Sequence, residues 1–293
     1  MTVDPRAAAH VADLPALSEL TPVQARVVDA RRAASWSVGA VPPAVASVRA
    51  AVVAGLPVSV VTPLGDGPLL TVLHCHGGGW VVGSPSTYDL VTRRLAAECS
   101  AVVVDVDYRL APEHPFPAGL DDCWAVLAEL ASAGPVAVAG DSGGGALAAA
   151  LTLLARDRGV PLVAQLLVYP SVSLARSWPS YRECAVGGGL LPADAAWFAD
   201  CWAPAGVDRA DPLVSPYSAD SLVGLPPAVV AVAEGDPLRD GGLAYADRLR
   251  QDGVPVTTVV AEGQVHGYLQ MPLVPGAADA VAAAHRAFRL LLE

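Results

Sequence analysis

Residues 136–156 read VAVAGDSGGGALAAALTLLAR. A short apolar run, Val136–Ala139, leads into glycines around Asp141 and Ser142, and an alanine- and leucine-rich stretch, Ala146–Arg156, follows. That succession predicts a strand, a tight turn and a helix, with Gly140-Asp141-Ser142-Gly143-Gly144 at the turn. It is the only G-x-S-x-G in the chain. A serine at such a turn sits on a strained backbone with its hydroxyl presented outward, and the flanking glycines relieve crowding as the chain reverses. The helix N-terminus behind it favours developing negative charge. Ser142 is therefore a candidate nucleophile. A serine that only caps a helix is the plainer alternative, and the strand–turn–helix setting argues against it.

A second glycine cluster, His76-Gly77-Gly78-Gly79-Trp80, follows the predicted strand Leu70–Cys75. Attack on an ester carbonyl creates an oxyanion, which preorganised backbone N–H groups can stabilise if no side chain blocks approach. The amides of Gly77 and Gly78, with that of Gly143, are the expected donors. A nucleophilic serine also needs a base, and the base an orienting carboxylate. Only His266 and His285 lie beyond Ser142. His266 falls in the loop Glu262–Tyr268 between two glycines, whereas His285 lies inside a terminal helix, where a plain helix-surface role is expected. For the carboxylate, Asp236 follows the predicted strand Ala228–Ala233, with Glu234 and Asp240 as neighbouring alternatives. His74 and His76 alternate around Cys75 and share a strand face, but no third ligand is spaced nearby, so no metal site is expected.

Composition narrows the partners. The chain of 293 residues has a formal charge of -11, which argues against nucleic acid or an anionic membrane. Its apolar runs are broken by Asp105, Asp107 and Asp141, so none has the roughly 20 residues a membrane span needs. The first fifteen residues show no apolar core of signal-peptide type. The five cysteines form no C-x-x-C pair, and reduced thiols in a cytoplasmic protein are expected.

Short β-branched runs alternate with helical patterns from Leu70 onward, as in a parallel sheet with crossover helices. The further strands are predicted at Ala101–Val106, Ala164–Tyr169 and Val256–Val260, several of them apolar throughout, as for strands covered on both faces. Val48–Val53 and Val58–Thr62, flanking Gly55, read as an opening antiparallel pair. Further helices are predicted at about Tyr88–Glu98, Leu120–Ala131, Gly242–Asp252 and Ala277–Leu292. Two stretches do not fit the alternation: helical Asp13–Ala34, before any strand, and Ser177–Gly206, where a short crossover would suffice. They are expected to form a small cap, about 1–45 and 177–206, on one catalytic unit spanning 1–293. Within and beside that cap, Trp80, Asp141, Tyr181, Trp197 and Phe198 are expected to contact substrate.

Taken together, HGGGW at 76–80, DYRLAPEHPFPAGLDD at 107–122, GDSGGG at 140–145, DPLVSP at 211–216, LPPAVVAVAEGDPLRD at 225–240 and VHGY at 265–268 resemble the bacterial hormone-sensitive-lipase-like esterases, a branch of the α/β-hydrolases. The resemblance covers roughly residues 65–292. It implies an α/β-hydrolase fold, with a mostly parallel central sheet, flanking helices and a helical cap. It also implies Ser142 as nucleophile, Asp236 as orienting acid and His266 as base, with Gly77, Gly78 and Gly143 at the oxyanion positions. The implied activity is hydrolysis of short-to-medium acyl esters of small molecules, with no metal or organic cofactor. The family often dimerises through its last sheet strand, so the resemblance allows for a homodimer. The DYRLAPEHPFPAGLDD run is expected to be scaffold that supports the glycine loop.

The chain departs from that family at Gly143, where alanine is usual, at Gly145, where asparagine is common, and at Cys75, where an aromatic residue is common; the segment Ala131–Pro135 is also shorter than usual. Gly143 is expected to widen the space around the reacting carbon and admit bulkier esters. The same constellation could serve deacetylation or lactone opening. A ligand-binding protein on this scaffold would have lost part of the triad, and this chain keeps all three residues.

Overall fold

The computed structural model describes residues 3–12, 14–65, 69–175 and 177–293. The chain enters through two helices, α1 (Pro5–Val11) and α2 (Pro22–Trp36), with a short 3-10 turn at Leu17–Glu19 between them. Thr21 and Gln24 close a reciprocal capping box at the start of α2. The helical stretch expected over Asp13–Ala34 is thus a turn and a helix, and α1, whose Asp4 caps Arg6, precedes it. Asp13 itself lies outside the described residues.

Next come β1 (Ser47–Val53) and β2 (Leu56–Thr62), paired antiparallel across Ala54 and Gly55, which both have positive φ. That conformation suits a two-residue hairpin turn. Six further strands alternate with helices: β3 (Thr71–Cys75), α3 (Asp89–Cys99), β4 (Val102–Val106), α4 (Ala118–Ala133), β5 (Val136–Asp141), α5 (Ser142–Asp157), β6 (Gln165–Val168), α6 (Ser180–Glu183), α7 (Pro192–Trp202), β7 (Ala228–Ala233), α8 (Arg239–Gln251), β8 (Val256–Ala261) and α9 (Ala277–Leu292). The sheet runs β1-β2-β4-β3-β5-β6-β7-β8, parallel from β4 to β8 and antiparallel at β1 and β2.

Strands β5 and β7 are buried along their whole length, which accounts for their unbroken apolar sequences. Successive residues of each strand feed opposite cores. Val72, Val103, Ala137 and Val229 pack with α3 and α9, while Leu73, Val104, Val138 and Val230 pack with α4, α5 and α8. His285 is a correction. It is 2% exposed, and its Nδ1 lies 2.7 Å from Glu98 on α3. It sits four residues after Val281 and three before Phe288, which places it on the buried stripe of α9.

The two sequence stretches outside the alternation come together, since the Ser18 amide donates to the Asp194 carboxylate of α7 at 2.8 Å. Among the described residues, no helix is long and apolar enough to cross a membrane. Cys75, Cys99, Cys123, Cys184 and Cys201 are all free thiols.

Candidate active site

The ends of β3, β5, β7 and β8 carry, in that order, the glycine loop, Ser142, Asp236 and His266. Crevices outside the carboxyl ends of parallel strands are where ligands bind in open α/β sheets. Ser142 adopts φ +54°, a left-handed conformation that costs a non-glycine residue on the order of 1–2 kcal/mol. Its carbonyl accepts the Ser171 amide at 3.0 Å, which helps hold the turn.

Residues 30 and 124 positions apart in sequence meet here. The Ser142 hydroxyl lies 3.0 Å from His266 Nε2, and His266 Nδ1 lies 2.8 Å from Asp236 Oδ2. The other oxygen of Asp236 accepts the Leu238 amide at 2.7 Å, and Asp236 is fully buried. With Nδ1 donating to the carboxylate, Nε2 is left to accept the serine proton. The His266 amide donates to Gly188 in the loop before α7, and the Tyr169 ring packs 4.7 Å from the imidazole. The rival carboxylates are engaged elsewhere. Glu234 accepts the Gly263 amide, and Asp240 accepts from Ser180 and pairs with Arg239.

The glycine loop requires a correction. The Gly77 amide is occupied, donating to Asp141 Oδ1 at 2.9 Å, while Tyr88 donates its hydroxyl to Asp141 Oδ2 at 2.9 Å. A Cβ on Gly77 would fall 2.4 Å from that carboxylate, so glycine serves close approach at this position. The amides of Gly78 and Gly79 donate to no acceptor among the described residues, and both glycines line the cleft. Gly143 is the second residue of α5, where an amide has no partner within the helix. The available donors are therefore Gly78, Gly79 and Gly143. Sequence reasoning missed Gly79 because three consecutive glycines carry no mark of register; the Asp141 bond sets it.

The loop is braced from behind by the DYRLAPEHPFPAGLDD segment. Tyr108 donates to the His76 carbonyl at 2.8 Å and the Ala111 amide donates to the Trp80 carbonyl. Arg26 of α2 joins the Val81 and Ala111 carbonyls to Glu113. His74 pairs with buried Asp105 at 2.8 Å and His76 with the Gly77 carbonyl, and among the described residues no three side chains are grouped to hold a metal.

The cleft over Ser142 encloses a cavity of about 80 Å³. Of the side chains expected to meet substrate, Asp141 and Phe198 line it. Trp80, Tyr181 and Trp197 do not. Trp80 is buried and stacks on Trp202 at 5.3 Å. Tyr181 lines a separate hollow with Pro192 and Ala199. Trp197 precedes Phe198 on α7, and helical spacing puts Asp194 and Phe198, four apart, on the cleft face instead. Among the cleft residues that sequence reasoning missed are Asp29, Arg32 and Trp36 of α2, with Leu17, Leu190 and Asp194. The only available signal was the i, i+3, i+7 spacing of the α2 trio.

The class that this fold and this site define is that of the serine carboxylic ester hydrolases. Within it, the chain belongs to the alpha/beta hydrolase fold family, which matches residues 72–270, and to its hormone-sensitive-lipase-like esterases. It is 45% identical over 227 residues to the carboxylesterase NlhH of Mycobacterium tuberculosis, covering 72% of this chain and 70% of that protein. It is 40% identical over 228 residues to an arylesterase of Saccharolobus solfataricus, covering 74% of each. Among solved structures, the hyperthermophilic esterase of Pyrobaculum calidifontis superposes with a TM-score of 0.92 at 34% identity, covering 99% of both chains.

Proposed function

We propose that Ser142, His266 and Asp236 hydrolyse short-to-medium acyl esters by two-step acyl transfer. The Ser142 hydroxyl gives its proton to His266 Nε2 as its oxygen attacks the ester carbonyl carbon. The resulting oxyanion sits against the amides of Gly78, Gly79 and Gly143. Collapse expels the alcohol, which takes the proton from Nε2, and leaves an acyl-serine. Water, deprotonated by His266, then attacks the acyl carbon, and the acid departs as Ser142 regains its proton. Asp236 orients the ring and stabilises its cation.

The observation that carries this reading is the unbroken chain of contacts from Asp236 through His266 to Ser142, at 2.8 and 3.0 Å. The narrow cavity over Ser142, about 80 Å³, suits small acyl groups. The five free thiols suit a reducing compartment such as the cytoplasm. Purified protein assayed on p-nitrophenyl esters of graded chain length should favour the shorter acyl groups. Ser142→Ala should lose about 10³-fold or more in kcat with an unaltered far-UV spectrum. Turnover that persists in the variant would refute the assignment.

A further inference from the structure

The cleft that holds Ser142 and His266 has one face that plain ester hydrolysis does not need. Helix α2 turns Asp29, Arg32 and Trp36 into it at i, i+3 and i+7 spacing. An alkyl chain would pack at least as well against leucine or valine, yet α2 places a carboxylate and a guanidinium there. Arg32 Nε is buried without an acceptor among the described residues, and Nη2 reaches only the Pro15 carbonyl at 3.5 Å. A buried donor left unmade is costly, and a ligand oxygen placed against it recovers that cost.

The electrostatics narrow the ligand. Burial works against the Arg32 charge, and the carboxylates of Asp29 and Asp194, both cleft residues, support it. Asp29 is itself pushed up to about 6 by burial, with Arg32 and the Gly83 amide opposing the rise. The cation is therefore already balanced by two acidic neighbours, and an incoming carboxylate would meet no net positive field. What remains open is a hydrogen-bond donor.

We propose that Arg32, with Asp29 beside it, forms a specificity subsite for esters bearing a neutral oxygen acceptor, an amide carbonyl or a hydroxyl, on the part of the substrate that reaches α2. This rests on the acyl-transfer reading of the same cleft and adds a substrate class to it. Sites built to bond a polar group discriminate strongly against the apolar isostere, because the isostere leaves buried groups unpaired.

Two matched pairs of esters test it: N-acetylglycine ethyl ester against ethyl pentanoate for the acyl side, and 3-hydroxypropyl butyrate against butyl butyrate for the alcohol side. The readout is the polar-to-apolar ratio of kcat/KM in each variant divided by that of the wild type, so that intrinsic ester reactivity cancels. In Arg32→Met the ratio should fall about tenfold or more for at least one pair. Arg32→Lys, which keeps the charge but not the Nε–H, should lose it as well, and it also serves if the methionine variant folds poorly. An unchanged ratio for both pairs overturns the subsite, and so does a loss in Arg32→Met that Arg32→Lys restores. A Ser142→Ala protein that still cleaves the alkyl esters would instead sink the underlying mechanism, so the two failures are distinct.

Discussion

Asp141 stands at the variable position of the G-x-S-x-G pattern, beside the serine, yet its carboxylate is spent on the glycine loop. It accepts both the Gly77 amide and the Tyr88 hydroxyl, and burial pushes its carboxyl up while His74 and Tyr88 hold it down. It is a positioning residue for the donors at Gly78 and Gly79. An asparagine offers one acceptor oxygen where two are used, and its amide would confront a donor. Asp141→Asn should lower kcat on the order of 10- to 100-fold with a smaller change in KM, since the loop shifts relative to the oxyanion. Equal kcat in steady-state assays would remove this role. Gly143 is redirected by the structure. A Cβ there would lie 3.2 Å from the Gly79 backbone and the Trp80 ring, against the loop and not in open cavity. Gly143→Ala should therefore scale kcat by a similar factor for all acyl lengths, and a selective loss of the bulkier esters would restore the expected widening.

At the scale of elements, the joint between α5 and β3 is the tightest in the site. A Cβ on Gly144 would lie 2.0 Å from the Cys75 carbonyl and 2.3 Å from that of His76, both backbone atoms. Gly144→Ala must push α5 off the sheet or distort the strand that feeds the glycine loop. The expected cost is about 3 kcal/mol, read as a lower urea midpoint at unchanged m-value. The pattern G-x-S-x-G shows a glycine there, but only the packing explains why. The same holds for α7, where apolar composition marked Trp197 and Phe198 alike, and helix orientation admitted one of them to the cleft.

At the scale of the whole molecule, buried histidines make stability depend on pH. Burial holds His285 below its ordinary value despite its hydrogen bond to Glu98, and burial does the same to His76 against Asp105. Unfolded, both rings titrate near 6.5. Their neutral forms stabilise the fold fully above that pH, and the contribution is lost as pH falls toward the folded values. His74 has the opposite sign: burial works against its charge, but the Asp105 charge and hydrogen bond together with Asp141 raise it, so its contribution is lost as pH rises through its folded value. The raised carboxyls of Asp29 and Asp141 also work in that opposite sense, so the His285 contribution is read by comparison: between pH 7 and pH 5 the slope of unfolding free energy against pH should be lower in His285→Gln than in the wild type, by up to about 1.4 kcal/mol per pH unit. Identical slopes in urea titrations of the two proteins would contradict the linkage.

Local chemistry was enough to read the strand–turn–helix around Ser142, the parallel sheet and the candidates Asp236 and His266. Turns, glycines and unbroken apolar strands write their conformations into neighbouring residues, and a long series of motifs in order left little freedom in assigning them. Three things were decided only by contacts between distant segments. One is which two of three glycines present free amides, because the Asp141 carboxylate claims the first. Another is the burial of His285 against Glu98. The last is the meeting of Arg32 and Asp194 with Ser142 in one cleft. Hydrogen bonding and burial at these places depend on which helix face meets which strand end, and that follows from how the layers pack.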